Sequence, residues 1–233
     1  WHWTRDVLGG GNICVNNTWG QTETAGCPLA GAAWLTPMKP GSAGVQFLGA
    51  DVGVVDDQGN PVPKGTLGNL VIKKPFPMLC RTLWREPERY YEQYFSQVEG
   101  CYYASDIALE DEDGYFWVVG RSDDAFNVSG HRLSTMEIEN SVLECEAVSE
   151  VAVIGAPDEI KGEVPVVFAT LSGGYIGEDK LKKEIEESIV KGVGQIARPR
   201  DIYFVKAMPK TVSGKIMRRL LKEIQVKGDV VSD

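Results

Sequence analysis

Glycine and proline punctuate the chain so closely between Gly9 and Gly120 that the gaps leave room only for short extended segments and a single helix. β-Branched and aromatic residues fill those gaps. They predict strands at Ile13–Asn16, Val45–Asp56, Leu67–Lys73, Cys101–Leu109 and Tyr115–Gly120, and a helix over Glu88–Phe95. Asp111-Glu112-Asp113-Gly114 is a turn sequence that joins the last two strands into a hairpin. The expectation for this half is mainly antiparallel β, a twisted sheet or small barrel.

After Asp124 the rhythm changes. Ser134-Thr135-Met136-Glu137 reads as a capping box, with Ile138, Val142 and Cys145 following at helical spacing. Strands are predicted at Val151–Gly155 and Val164–Leu171. Leu181, Ile185 and Ile189 mark a second helix, with Lys182–Glu186 and Lys183–Glu187 as outward pairs. A strand at Ile202–Val205 and a helix carrying Ile216, Leu220, Leu221 and Ile224 complete a compact α+β domain of roughly 110 residues. The predicted division is therefore 1–122 and 123–233, meeting in the charged stretch Arg121–Asp124, where a hinge would sit.

A net charge of −9 argues against a general nucleic-acid binder, which needs a basic footprint. Eight of the basic residues nevertheless lie between Arg198 and Lys222, beside one acid, Asp201. Such a patch suits a small polyanion, although a solvated helix face would look the same. No apolar run is long enough to span a membrane. Five widely spaced cysteines without a C-x-x-C pair point away from disulfides and zinc, and towards a reducing, cytoplasmic setting. The start at Trp1, without Met or a signal pattern, suggests a piece of a longer chain.

Four segments carry chemistry. Thr18-Trp19-Gly20-Gln21-Thr22-Glu23-Thr24 follows an apolar stretch and offers backbone N–H groups, hydroxyls and one carboxylate at a strand end, where open sheets bind ligands. Magnesium takes a protein carboxylate together with substrate phosphate oxygens, and Glu23 beside Thr22 can supply one. An ordinary polar turn has the same composition. Asp106 and Arg121, at the ends of hairpin strands, could grip the paired hydroxyls of a ribose or form a structural pair. In Asn127-Val128-Ser129-Gly130-His131-Arg132, Gly130 permits close backbone approach and Arg132 is a rigid phosphate donor. Pro209-Lys210-Thr211-Val212-Ser213-Gly214-Lys215-Ile216-Met217-Arg218-Arg219 lacks the spacing of a Walker loop, and Gly9-Gly10-Gly11 lacks that of a dinucleotide loop.

In this order the four segments resemble the adenylate-forming superfamily, most closely the acetyl-CoA synthetases, along nearly the whole chain. The resemblance implies an AMP-forming acyl-CoA ligase whose C-terminal part this chain represents, using ATP/AMP, CoA and Mg, with no nucleic-acid or membrane partner. Its substrate would be acetate or a somewhat larger carboxylic acid. Residues 1–122 would belong to the large adenylation domain, and 123–233 would be the small mobile domain. The resemblance assigns Thr22 and Glu23 to the adenylate phosphate and magnesium, with Thr18, Trp19 and Gln21 beside them in the nucleotide-binding turn. It assigns Asp106 and Arg121 to a ribose clamp, Asp123 to the hinge, and Arg132 to a phosphate contact. Ser129-Gly130 would approach the CoA thiol, and Lys215 would serve adenylation and be a site of regulatory acetylation that removes its charge. A homo-oligomer is compatible with it. Two departures stand out. The Ser/Thr/Gly-rich phosphate loop is absent, as expected of a truncated chain, which alone should be inactive. Gly20 stands where acetyl-CoA synthetases carry a second Trp that closes the acyl pocket. Each further buried methylene contributes about 0.8 kcal/mol, so an open floor would favour longer acids unless another side chain refills it. A luciferase-like or peptide-synthetase adenylation domain and a non-catalytic nucleotide-binding module are the alternatives.

Overall fold

The structure is a computed structural model that describes residues 1–33, 35–122 and 124–227. The chain divides into two compact units, Trp1–Ser122 and Asp123–Asp233.

The first unit is antiparallel throughout. Strands β1 (Thr18–Trp19), β2 (Leu29–Ala30) and β3 (Val45–Gln46) form a small sheet in that order. Strands β4 (Val52–Val55), β5 (Gly68–Ile72), β6 (Tyr102–Glu110) and β7 (Phe116–Arg121) form a meander, with α1 (Pro87–Tyr94) inserted before β6. The predicted β6–β7 hairpin forms. Gly114 adopts a left-handed φ of 82° and Asp111 N–H donates to the Tyr115 carbonyl at 2.8 Å. One core joins both sheets to the helix: Trp19, Leu29, Val52, Leu70, Ile72, Tyr90, Tyr94, Tyr102 and Phe116 are all buried. The strand predicted at Ile13–Asn16 does not form. The Asn16 amide takes its place, donating to the Gly31 carbonyl at 2.7 Å and accepting from Gly31 N–H at 3.0 Å. The segment Val45–Asp56 is two strands, because the chain turns at Gly49, which has a φ of 84°.

The second unit is an α+β sandwich around a five-stranded sheet. It contains β8 (Phe126–Val128), β9 (His131–Leu133), α2 (Thr135–Leu143), β10 (Val148–Asp158), β11 (Gly162–Leu171), α3 (Asp179–Gly192), β12 (Asp201–Phe204) and α4 (Arg218–Lys227). Strand side chains alternate faces, and here both faces are covered. Val151, Val153, Val167 and Ala169 meet Ile138, Val142, Ile185 and Ile189 of α2 and α3. Ala152, Ile154, Val166 and Phe168 meet Met208 and Leu221 on the other side. The Ser134 hydroxyl caps α2 through Met136 N–H at 3.2 Å, one residue earlier than a capping box would use. Among the described residues the ion pairs on α3 are Lys180–Glu184 at 3.9 Å and Glu186–Arg198 at 2.8 Å, in place of the two expected. Ile216 lies ahead of α4, and Ile224 is exposed. No helix among the described residues is long and apolar enough to cross a membrane.

Candidate functional site

The turn after β1 is braced from below. Thr22–Thr24 form one tight helical turn, fixed by buried Thr24, whose hydroxyl accepts from Gln21 N–H at 2.8 Å. Trp19 Nε1 donates to Asp106 Oδ2 at 2.9 Å. Gln21 Nε2 donates to the same oxygen at 2.9 Å and to the Ala104 carbonyl at 2.7 Å, while its Oε1 accepts from the Tyr102 hydroxyl at 2.8 Å. The polar atoms of the Trp19 and Gln21 side chains therefore fasten the turn to β6. Thr18 and Thr22 are left exposed on its outer side.

Glu23 is half-buried, and the Tyr94 hydroxyl donates to its Oε1 at 2.6 Å. Its other carboxylate oxygen has no partner among the described residues. The Glu23 carbonyl accepts from Cys80 N–H at 2.7 Å, and Tyr90 donates its hydroxyl to the Cys80 carbonyl. Burial, then the bond to Glu23, pushes the Tyr94 phenol up to about 12, and burial also raises Tyr90 and Tyr102. All three rings thus stay protonated donors. Tyr94 stacks on Tyr102 with centroids 5.0 Å apart. The sequence places a helix over Glu88–Phe95, close to α1, but assigns neither its tyrosines nor Thr24 to the site. The spacing of Tyr90 and Tyr94, one helical turn apart, was the signal that α1 turns phenols towards one place.

Asp106 and Arg121 lie directly opposite each other in the β6–β7 ladder, with Nη1 3.6 Å from Oδ1. Asp106 is buried and Arg121 is largely exposed. Register shifts interrupt β6 on both sides of Asp106, and Ser105 before it holds a left-handed φ of 55°. Bulges of this kind re-aim a side chain. Gly20 is a place of close backbone approach: a Cβ there would overlap the Gly26 carbonyl oxygen. The space assigned to an open acyl-pocket floor is taken, at the first carbon of any side chain, by the protein's own backbone. A Gly20→Trp exchange would therefore test folding together with selectivity.

In the second unit Ser129 and Gly130 are the two residues of the β8–β9 hairpin turn, with φ of 50° and 84°. Ser129 N–H donates to the Lys161 carbonyl at 2.8 Å. Arg132 stands opposite Asn127 in β9 and is half-buried. Lys215 is exposed in a narrow loop that closes by three steps. Met217 N–H donates to the Pro209 carbonyl at 2.9 Å, Lys210 and Ile216 form a bridge, and Thr211 N–H donates to the Lys215 carbonyl at 2.8 Å. Asp123, the expected hinge, lies outside the described residues. Trp19, Gln21, Thr22, Glu23, Asp106 and Arg121 are thus brought together in the first unit, while Ser129, Gly130, Arg132 and Lys215 belong to the second.

The sequence pattern of AMP-binding enzymes matches residues 1–81, and that of the AMP-binding enzyme C-terminal domain matches residues 137–215. The chain belongs to the AMP-binding, adenylate-forming enzymes. It is 48% identical over 226 residues to the acetyl-coenzyme A synthetase of Pyrobaculum aerophilum, covering 96% of this chain and 34% of that protein. It is 44% identical over 233 residues to that of Rubrobacter xylanophilus, covering 100% of this chain and 36% of that protein. The chain thus spans about a third of the length of the curated relatives it matches. A solved adenylate-forming structure, the anthranilate CoA ligase AuaEII in complex with anthranoyl-AMP, superposes with a TM-score of 0.80 at 30% identity, covering 96% of this chain and 41% of that one. ATP-bound MatB from Rhodopseudomonas palustris shares the fold, with a TM-score of 0.77 at 23% identity, covering 92% of this chain and 41% of that one.

Proposed function

We propose that this chain forms the C-terminal third of a cytoplasmic AMP-forming acyl-CoA synthetase acting on acetate or a slightly larger carboxylic acid. A substrate carboxylate oxygen attacks the ATP α-phosphorus and pyrophosphate leaves, giving acyl-AMP. The CoA thiolate then attacks the acyl carbon and AMP leaves. Asp106 accepts hydrogen bonds from the ribose diol while Arg121 flanks it. The exposed Thr22 hydroxyl donates to the α-phosphate, and Arg132 makes a further phosphate contact. Lys215 donates to the oxygens on which charge accumulates in the first step. Ser129-Gly130 lines the approach of the thiol in the second, with Asp123 as the hinge between the two. Glu23 fits magnesium, since the Tyr94 hydroxyl orients one oxygen and the other stays available to join substrate phosphate oxygens around the ion. Magnesium, when bound, screens phosphate charge.

The observation that carries this reading is the bracing of Asp106 by Trp19 and Gln21, which ties the diol-accepting carboxylate to the Thr22–Glu23 turn in one rigid piece. It is tested in the full-length enzyme through its two half-reactions. Asp106→Ala should weaken ATP-dependent adenylation and also raise the KM for supplied acyl-AMP, because the ribose is present in both. An unchanged KM for acyl-AMP would remove the clamp from the reading. Assay against acids of increasing length decides the acyl group.

A further inference from the structure

Lys215 is exposed and sits on a loop whose tip, Val212, is entirely in water. A lysine on four methylenes gives no directed donor unless the backbone that carries it is held. The loop is bonded within itself, Gly214 N–H to the Thr211 carbonyl at 2.9 Å and Lys215 N–H to Thr211 Oγ1 at 3.1 Å, and it is anchored to the rest of the unit at its base. On one side Met208 is buried against the sheet, and Lys210 pairs with Glu150. On the other side, three residues beyond Lys215, stands Arg218.

Arg218 opens α4 and reaches back across the unit. Its Nη2 lies 2.8 Å from both Glu139 oxygens, and its Nε lies 3.3 Å from Oε1. Its Nη1 lies 3.4 Å from Asp124 Oδ2. Glu139 projects from α2 into the interior, where it is 9% exposed and also accepts from Val153 N–H of β10 at 2.9 Å. One guanidinium therefore ties the lysine loop to α2, to β10 and to the first described residue of the unit. A planar fork against a carboxylate fixes angle as well as distance, which a single ammonium contact cannot do.

We propose that Arg218 is the positioning residue of Lys215. Its fork on buried Glu139 sets the direction in which the lysine leaves the unit, and its contact to Asp124 couples that direction to the start of the unit. Glu139 lies in the interior and Arg218 is half-buried against it, which shields this ionic lock from most of the solvent. The lysine is then free to serve the nucleotide alone. The inference deepens the adenylation role given to Lys215 above and rests on it.

The test uses the full-length enzyme with Arg218→Met, Arg218→Lys and Lys215→Ala as reference. Acid-dependent exchange of pyrophosphate into ATP reports adenylation, and CoA thioester formation from supplied acyl-AMP reports the second step. Arg218→Met should lower kcat for exchange by about 10- to 100-fold, as expected of a misplaced group, with little change in KM for ATP. The second step should hold within about twofold. Arg218→Lys should recover part of the loss. Hydrogen exchange at the Gly214 and Lys215 amides should speed up in Arg218→Met of the full-length enzyme. Should Arg218→Met not fold, Glu139→Gln keeps the shape, removes the charge, and should show the same selectivity more weakly. Equal loss in both steps, or none, alongside a selective Lys215→Ala overturns the proposal. A non-selective Lys215→Ala instead overturns the adenylation role. Unchanged amide exchange at 214 and 215 would then show that Arg218 does not hold the loop.

Discussion

The two turns that carry the proposed chemistry are held in opposite ways. The Thr22–Glu23 turn is fastened by neutral donors on both sides, the Trp19 indole, the Gln21 amide and the Tyr94 phenol, beside a buried aromatic cluster. The Lys215 loop is fastened by charge at its base and open to water at its tip. A surface that must receive a nucleotide in fixed geometry gains from a floor that does not reorganise. Under the proposed function, a lysine needed in only one of the two steps gains from a stiff root with a free end. The lesson is that rigidity is distributed by task.

The sharpest way to break the contrast is to remove the buried carboxylate. Glu139→Ala leaves Arg218 with Asp124 alone among the described residues and should destabilise the second unit by about 3–5 kcal/mol, as loss of one partner from a buried pair does. Calorimetry of the chain should show one transition falling while the other, from the first unit, stays. Lys215→Ala, at an exposed position, should leave both transitions in place and slow adenylation in the full-length enzyme by about 10²- to 10³-fold, the usual effect of losing one preorganised donor. Gly20→Ala should lower only the first transition, by about 1–3 kcal/mol, because its Cβ meets the Gly26 carbonyl. Tyr94→Phe should cost about 1 kcal/mol in the same unit. That variant also sharpens the contrast through pH. The Tyr94 proton is held more tightly in the folded than in the unfolded state. Its contribution is therefore complete below pH 10.0 and lost as pH climbs through about 12. In Tyr94→Phe that share of the alkaline decline should be missing from urea titrations, and the shares of Tyr90 and Tyr102 should remain.

What was legible in the sequence was what local periodicity encodes. Leu181, Ile185 and Ile189 are buried as a helical stripe, and the β6–β7 hairpin follows its Asp-Gly turn. The turn alone would set Asp106 opposite Gly120, and the register shift between Ile107 and Ala108, which the sequence does not announce, sets it opposite Arg121. The β8–β9 hairpin was missed because Ser129 gives no hint that it will adopt a left-handed φ, which Asn or Gly at that position would have signalled. Long-range braces left no local trace. Trp19 reaches Asp106 across 87 positions, Tyr94 reaches Glu23 across 71, and Arg218 reaches Glu139 across 79. Such contacts belong to the packing of a sheet against a helix, and spacing alone does not report them.

The left-handed conformation of Ser105 sets durability against purpose at a single residue. A glycine would adopt the same backbone angle without steric cost, so Ser105→Gly would relax the strand and could raise the melting temperature. It would also loosen the bulge that aims the next carboxylate. Engineering for thermal robustness would be drawn to that substitution, and under the function proposed above the toll would appear as weaker nucleotide affinity in an otherwise hardier protein.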